Sequence, residues 1–218
     1  MNKKISPSLM CADFMNLEKN IKELGKYGIE YLHIDIMDGS FVPNYTLGTD
    51  FISAVKKNSD IPLDIHLMIE EPERKTEWFD FGGKDYVSIH YEATKHVQRT
   101  LQKIKDRGAK AMLALNPATP LYVIEEVYRD IDAVLIMTVN PGYAGQKLIP
   151  QTLDKIKRAK NIYPDIEIEV DGNVSFENAK KMSEAGADIF VAGSSSLFMK
   201  GRPLEETIKK LRECIGGQ

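Results

Sequence analysis

Short apolar runs rich in β-branched residues alternate along the chain with segments whose apolar positions recur at helical spacing. The runs at 4–8, 31–35, 63–67, 86–90, 111–115, 133–137, 166–171 and 189–192 predict strands. Several are apolar at almost every position, as strands covered on both faces are. Between them, 16–25, 50–57, 73–81, 95–107, 121–128, 151–163, 176–185 and 204–214 predict helices. Ser175 is placed to cap the helix at 176–185, and Gly108 and Gly186 to close helices ahead of strands. Pro120, Pro150 and Pro203 stand near helix starts, where a missing N–H costs little.

Strand-then-helix units joined by short links predict parallel strands. Eight such units close a (β/α)8 TIM barrel, an α/β fold, and residues 1–218 read as one barrel domain with no internal linker. The alternative is an open doubly wound sheet, which would show a Gly-rich turn after the first strand. Ser8-Leu9-Met10-Cys11-Ala12-Asp13 is not one.

Composition narrows the partners. The chain is 43% hydrophobic and 28% charged, and a net charge of −3 advertises neither nucleic acid nor an anionic membrane. Cys11 and Cys214 stand at opposite ends, form no ligand or redox pair, and suit a reducing compartment. The N-terminus has no apolar signal region and no stretch is apolar enough to span a bilayer, so a cytoplasmic location is expected. A homo-oligomer is left open.

In a barrel, chemistry belongs at the C-terminal ends of the strands. Those positions carry Ser8, His33, Asp35, His66, His90, Asn116, Asn140, Asp171, Gly193 and Ser194. In His33-Ile34-Asp35 and Asp64-Ile65-His66, residues two apart share a face, so each pair can point into the mouth. His33, Asp35, His66 and Asp171 together predict a site for one divalent ion: Zn²⁺, Mn²⁺, Fe²⁺ or Co²⁺. Taken singly, each His reads as a hydrogen-bonded core residue. Asp35 and Asp171 come from well-separated strands and can face opposite sides of a bound molecule. That is the arrangement an epimerase needs, one carboxyl taking a proton and the other returning one. Met37, Met68 and Met137 lie near strand ends and can cap a planar intermediate without offering a competing acid. Three late loops hold glycines that let backbone approach a phosphate: Gly142, Tyr143, Ala144 and Gly145; Gly172 and Asn173; Gly193 and Ser194.

These motifs resemble the ribulose-phosphate 3-epimerase family along nearly the whole chain. The resemblance is carried by Ser6-Pro7-Ser8, His33-Ile34-Asp35-Ile36-Met37-Asp38-Gly39, Phe41-Val42-Pro43-Asn44 and Leu63-Asp64-Ile65-His66-Leu67-Met68. It continues through Leu115-Asn116-Pro117, Met137-Thr138-Val139-Asn140-Pro141-Gly142 and Glu167-Ile168-Glu169-Val170-Asp171-Gly172. It implies a ribulose-phosphate-binding barrel and an isomerase that inverts C3 of a phosphorylated ketose. In that scheme His33, Asp35, His66 and Asp171 hold the metal, Asp35 and Asp171 exchange the C3 proton, and Ser8 and His66 contact substrate.

Where the family commonly has Gly-Phe-Gly-Gly and Asp-Gly-Gly, this chain has Gly142-Tyr143-Ala144-Gly145 and Asp171-Gly172-Asn173. Gly193-Ser194 continues as Ser195-Ser196-Leu197-Phe198. These departures resemble the allulose-6-phosphate 3-epimerase branch. The expected reaction is therefore D-allulose 6-phosphate to D-fructose 6-phosphate, with D-ribulose 5-phosphate to D-xylulose 5-phosphate as the alternative. Ser40 replaces the family's usual His and has no explanation. Related phosphate-binding decarboxylases use Asp-x-Lys at the third strand, which here reads Asp64-Ile65-His66. A non-catalytic sugar-phosphate binder is the remaining rival, and it would need neither metal nor both aspartates.

Overall fold

Strands that are apolar at nearly every position need cover on both faces, and a closed, helix-wrapped sheet supplies it. The computed structural model describes residues 2–216. One sheet contains β1 (Lys4–Pro7), β2 (Leu32–Asp38), β3 (Tyr45–Thr46), β4 (Leu63–Met68), β5 (Tyr86–His90), β6 (Lys110–Leu115), β7 (Ala133–Met137), β8 (Glu167–Asp171) and β9 (Ile189–Ala192). Its order is β1-β9-β8-β7-β6-β5-β4-β2-β3. All neighbours except the β2–β3 pair run parallel. A parallel bridge between Ser8 and His33 brings the end of β1 against β2 and closes the eight-stranded ring. This is the (β/α)8 barrel.

The outer layer contains α1 (Leu17–Lys26), α2 (Thr49–Asn58), α3 (Val97–Asp106), α4 (Gln151–Ile162), α5 (Phe176–Ala185) and α6 (Leu204–Ile215). Their buried stripes, among them Leu24, Ile52, Leu101, Ile156 and Leu211, share one core with outward strand residues such as Leu32, Ile34 and Ile36. Inside the ring, Tyr31, Tyr86, Met112, Leu135 and Ile189 form a second apolar cluster. The alternation along β2 therefore turns His33, Asp35 and Met37 inward. The expected cap is present: the Ser175 hydroxyl accepts from the Asn178 N–H at 3.2 Å. Gly186 ends α5 in the left-handed region at φ 109°.

Three segments differ from expectation. The stretch at 73–81 is not an α-helix but two 3₁₀ turns, Pro72–Arg74 and Thr76–Trp78. Phe79 and Phe81 are both buried at a spacing of two, which is extended rather than helical. The Arg107 guanidinium donates to the carbonyls of Thr76 and Phe79, both at 2.7 Å. The helix predicted at 121–128 is a 3₁₀ helix, Leu121–Asp130, whose buried Leu121, Ile124 and Val127 recur every third residue, the 3₁₀ period. Finally, β2 runs on to Asp38 and pairs with the short antiparallel β3. Gly39 makes that return at φ 73°, with the Tyr45 ring occupying the space a Cβ would need.

Among the described residues, no helix is long and apolar enough to cross a membrane.

Candidate active site and metal centre

Register brings the ionisable residues together. Across the β2–β4 pair, His33 is the partner of Asp64, Asp35 of His66, and Met37 of Met68. Across β7–β8, Met137 is the partner of Asp171. His33 Nε2 lies 3.3 Å from Asp35 Oδ1. His66 Nδ1 lies 3.7 Å from the same oxygen and 3.6 Å from Asp171 Oδ2. The four residues offer donor atoms that all lie within 4.8 Å of one another. Donors on one ion of the zinc class stand at most about 4 Å apart, so small side-chain shifts would complete the shell.

Buried polar atoms supply an independent test of fit. His33 Nε2 and His66 Nδ1 are both buried and lack any hydrogen-bond partner. An orphaned buried nitrogen is costly unless something else engages it. Here both orphans face carboxylates around one point. The opposite edge of each ring is held. His33 Nδ1 lies 2.6 Å from Asp64 Oδ2, to which the Ser6 hydroxyl also donates at 2.8 Å. His66 Nε2 lies 2.8 Å from His90 Nε2. The cluster could therefore hold a divalent ion.

The charges are unevenly distributed. Burial alone would raise Asp35, but the neighbouring His33, and after it His66, outweigh burial and hold the carboxyl below its ordinary value. Asp171 is pushed up to about 6 by burial and by the Asp35 charge. Burial would lower His33, yet the Asp64 and Asp35 carboxylates keep it well above the ordinary imidazole value. Glu169 is raised well above the usual carboxylate range by burial and the Asp64 charge. Without metal, then, protons retained on His33, Asp171 and Glu169 offset the crowded carboxylates, a role a cation at the same point would take over.

Asp35 and Asp171 reach a pocket at the C-terminal mouth of the ring. The Ser8 hydroxyl donates to Asp35 Oδ2 at 2.6 Å and also lines the pocket. Met37, Met68 and Met137 line it too, as do Gly142, Tyr143, Ala144, Gly145, Gly172, Asn173, Gly193 and Ser194. His33 and His66 are fully buried and stand outside that lining, so His66 lies beneath the floor instead of facing the opening. Sequence reasoning overlooked Cys11, Gln146 and Val174 in the lining, and Glu92 and Glu169 behind it. Glu169 was signalled by the alternation Glu167-Ile168-Glu169-Val170-Asp171, which turns carboxylates inward. Glu92, on a short turn after β5, had no such signal.

The late loops constrain their glycines. Gly172 has φ 117°, and a Cβ there would come within 2.8 Å of the Val139 backbone nitrogen. Gly145 has φ 84° with open space around it. Gly172→Ala is therefore expected to destabilise the fold by about 1–3 kcal/mol. Gly145→Ala, strained in φ but free of a clash, is expected to cost less. Denaturant unfolding of both variants checks the order.

Comparison with known proteins agrees with this geometry. The model of the ribulose-phosphate 3 epimerase family matches residues 4–198. Ribulose-phosphate 3-epimerase of Bacillus subtilis (strain 168) is 50% identical over 197 residues, covering 88% of this chain and 91% of that protein. That of Methanocaldococcus jannaschii is 41% identical over 215 residues, 97% of this chain and 90% of its own. The chloroplastic ribulose-5-phosphate-3-epimerase of Arabidopsis thaliana is 45% identical over 197 residues, 88% and 70%. Among solved structures, a mutant tryptophan synthase α-subunit from Pyrococcus furiosus superposes with a TM-score of 0.69 at 16% identity, covering 99% of this chain and 100% of that one. At that identity the likeness speaks for the barrel fold alone. The chain is an isomerase and belongs to the ribulose-phosphate 3-epimerase family.

Proposed function

We propose that the chain interconverts D-ribulose 5-phosphate and D-xylulose 5-phosphate by inverting C3, with one divalent ion held by His33, Asp35, His66 and Asp171. The observation that carries this reading is the pair of carboxylates lining one pocket above two orphaned imidazole nitrogens. Residues 1–218 act as one barrel domain in the cytoplasm.

The C2 carbonyl of the substrate acidifies C3–H. One aspartate removes that proton and the other delivers one to the opposite face, the roles exchanging in the reverse direction. Ser8 orients Asp35 through its 2.6 Å hydrogen bond and contacts the substrate. When bound, the ion supplies Lewis acidity that stabilises negative charge developing on the substrate oxygens. Met37, Met68 and Met137 exclude water from the reacting face. Backbone N–H groups of the loops at Gly142, Gly172 and Gly193 receive the phosphate.

The relatives favour the pentose over the allulose reading drawn from Ala144, Asn173 and Ser195. Local geometry gives Asn173 another explanation. It sits at φ 49°, a left-handed conformation that Gly and Asn share. Its amide donates to the Gln146 carbonyl at 2.6 Å, and its own carbonyl and side-chain oxygens accept from the Asn178 amide at 3.0 and 2.7 Å. Loop packing thus accounts for Asn173 without invoking a longer substrate.

Side-by-side kinetics test the choice. A higher kcat/KM for ribulose 5-phosphate than for allulose 6-phosphate is expected. A clear preference for allulose 6-phosphate would restore the hexose reading.

A further inference from the structure

Behind His66 lies a polar chain that the reaction itself does not use. His66 Nε2 and His90 Nε2 are 2.8 Å apart, and the two ring planes differ by only 22°. With centroids 5.0 Å apart, the two nitrogens lie between the rings, so the rings meet head to head. One proton is shared by that contact: two N–H groups would clash, and two bare nitrogens would repel. Which ring carries it decides whether the far nitrogen of His66 is a metal donor.

Glu92 settles the question. Its carboxylate lies 3.2 Å from His90 Nδ1, so that nitrogen is the protonated one. The His90 ring is wholly buried, which disfavours the charged imidazole, so the neutral ring has a bare Nε2 and His66 donates from its own Nε2. This leaves His66 Nδ1 bare, the orphaned atom that faces Asp35 and Asp171. Glu92 is itself fixed. It accepts from the Asn116 N–H at 2.9 Å and from the Thr119 hydroxyl. The Lys155 ammonium, from α4, anchors that loop through the carbonyls of Asn116, Pro117 and Thr119 at 2.9, 2.7 and 2.7 Å.

We propose that Glu92 and His90 are positioning residues that hold His66 in its Nε2–H tautomer and so present Nδ1 as a metal donor. The inference rests on the metal reading given above. Partners behind a ligating imidazole commonly change metal affinity about 10–100-fold.

The test uses the full chain, stripped of metal and labelled with ¹⁵N in its imidazoles. Long-range ¹H–¹⁵N spectra are expected to show a protonated Nε2 and a bare Nδ1 on His66, and the reverse order on His90. Competition with a chromophoric chelator then measures Co²⁺ affinity. Glu92→Ala and His90→Phe are expected to weaken it about 10–100-fold. His90→Gln, whose amide oxygen can accept from His66 Nε2, is expected to bind Co²⁺ more tightly than His90→Phe. Circular dichroism establishes that each variant is folded. Failure of the unaltered chain to bind Co²⁺ would overturn the metal reading. A protonated Nδ1 on His66, in a protein that does bind Co²⁺, would overturn the relay alone. So would unchanged affinity in both Glu92→Ala and His90→Phe.

Discussion

Asp35→Asn and Asp171→Asn are each expected to lower kcat by about 10²–10⁴-fold, the range that a positioned acid or base contributes. Two-sided proton exchange cannot proceed with one carboxyl replaced by an amide. The half-reactions should survive separately. With one aspartate intact, a variant that keeps its metal should still exchange C3–H of one epimer with deuterated solvent, while failing to exchange the other. The opposite substitution should reverse which epimer exchanges. Because both residues are assigned as ligands, metal content must be measured in each variant. Turnover at the unaltered rate in either variant would refute the two-carboxyl scheme.

His66→Ala is expected to have the next largest effect, on metal content as well as rate. It removes the buried Nδ1 from the cluster and leaves His90 Nε2 without its 2.8 Å partner. Metal content should fall from about one ion per chain to a small fraction of that. The unaltered protein should lose activity on treatment with a chelator and regain it with Zn²⁺, Mn²⁺, Fe²⁺ or Co²⁺. A readout independent of turnover is available. An ion that binds only the folded chain raises stability, by about 2.7 kcal/mol at 100 times Kd, so added metal should raise Tm in the unaltered protein and much less in the variant. Full activity in demonstrably metal-free protein would contradict the assignment.

Much of this site was legible because a barrel converts sequence parity into direction. Residues two apart in a strand share a face, so parity alone aligns His33 with Asp35 and Asp64 with His66. Parallel register then made Asp35 and His66 neighbours. Depth was less legible. The continuation of β2 to Asp38 sinks His33 below the mouth, which a strand ending at Asp35 would not do. Pairing through the two-residue β3 is too brief to leave a periodic signal. The three-residue recurrence of Leu121, Ile124 and Val127 was visible and pointed to 3₁₀ geometry, yet it resembles the i, i+3 half of an α-helical stripe. Asn173 illustrates a different limit. A departure from the common Gly looked like a change of substrate, although the backbone conformation it occupies is one both residues accept.

The central question is whether this pocket moves the C3 proton of a ketose phosphate across the plane of the carbon. The direct measurement is NMR of D-ribulose 5-phosphate incubated in D₂O with the purified, metal-loaded protein. D-Xylulose 5-phosphate carrying deuterium at C3 is expected, formed at a rate that collapses in Asp35→Asn and Asp171→Asn. Conversion with the C3 hydrogen retained, or no conversion by protein shown to be folded and metal-loaded, would contradict it.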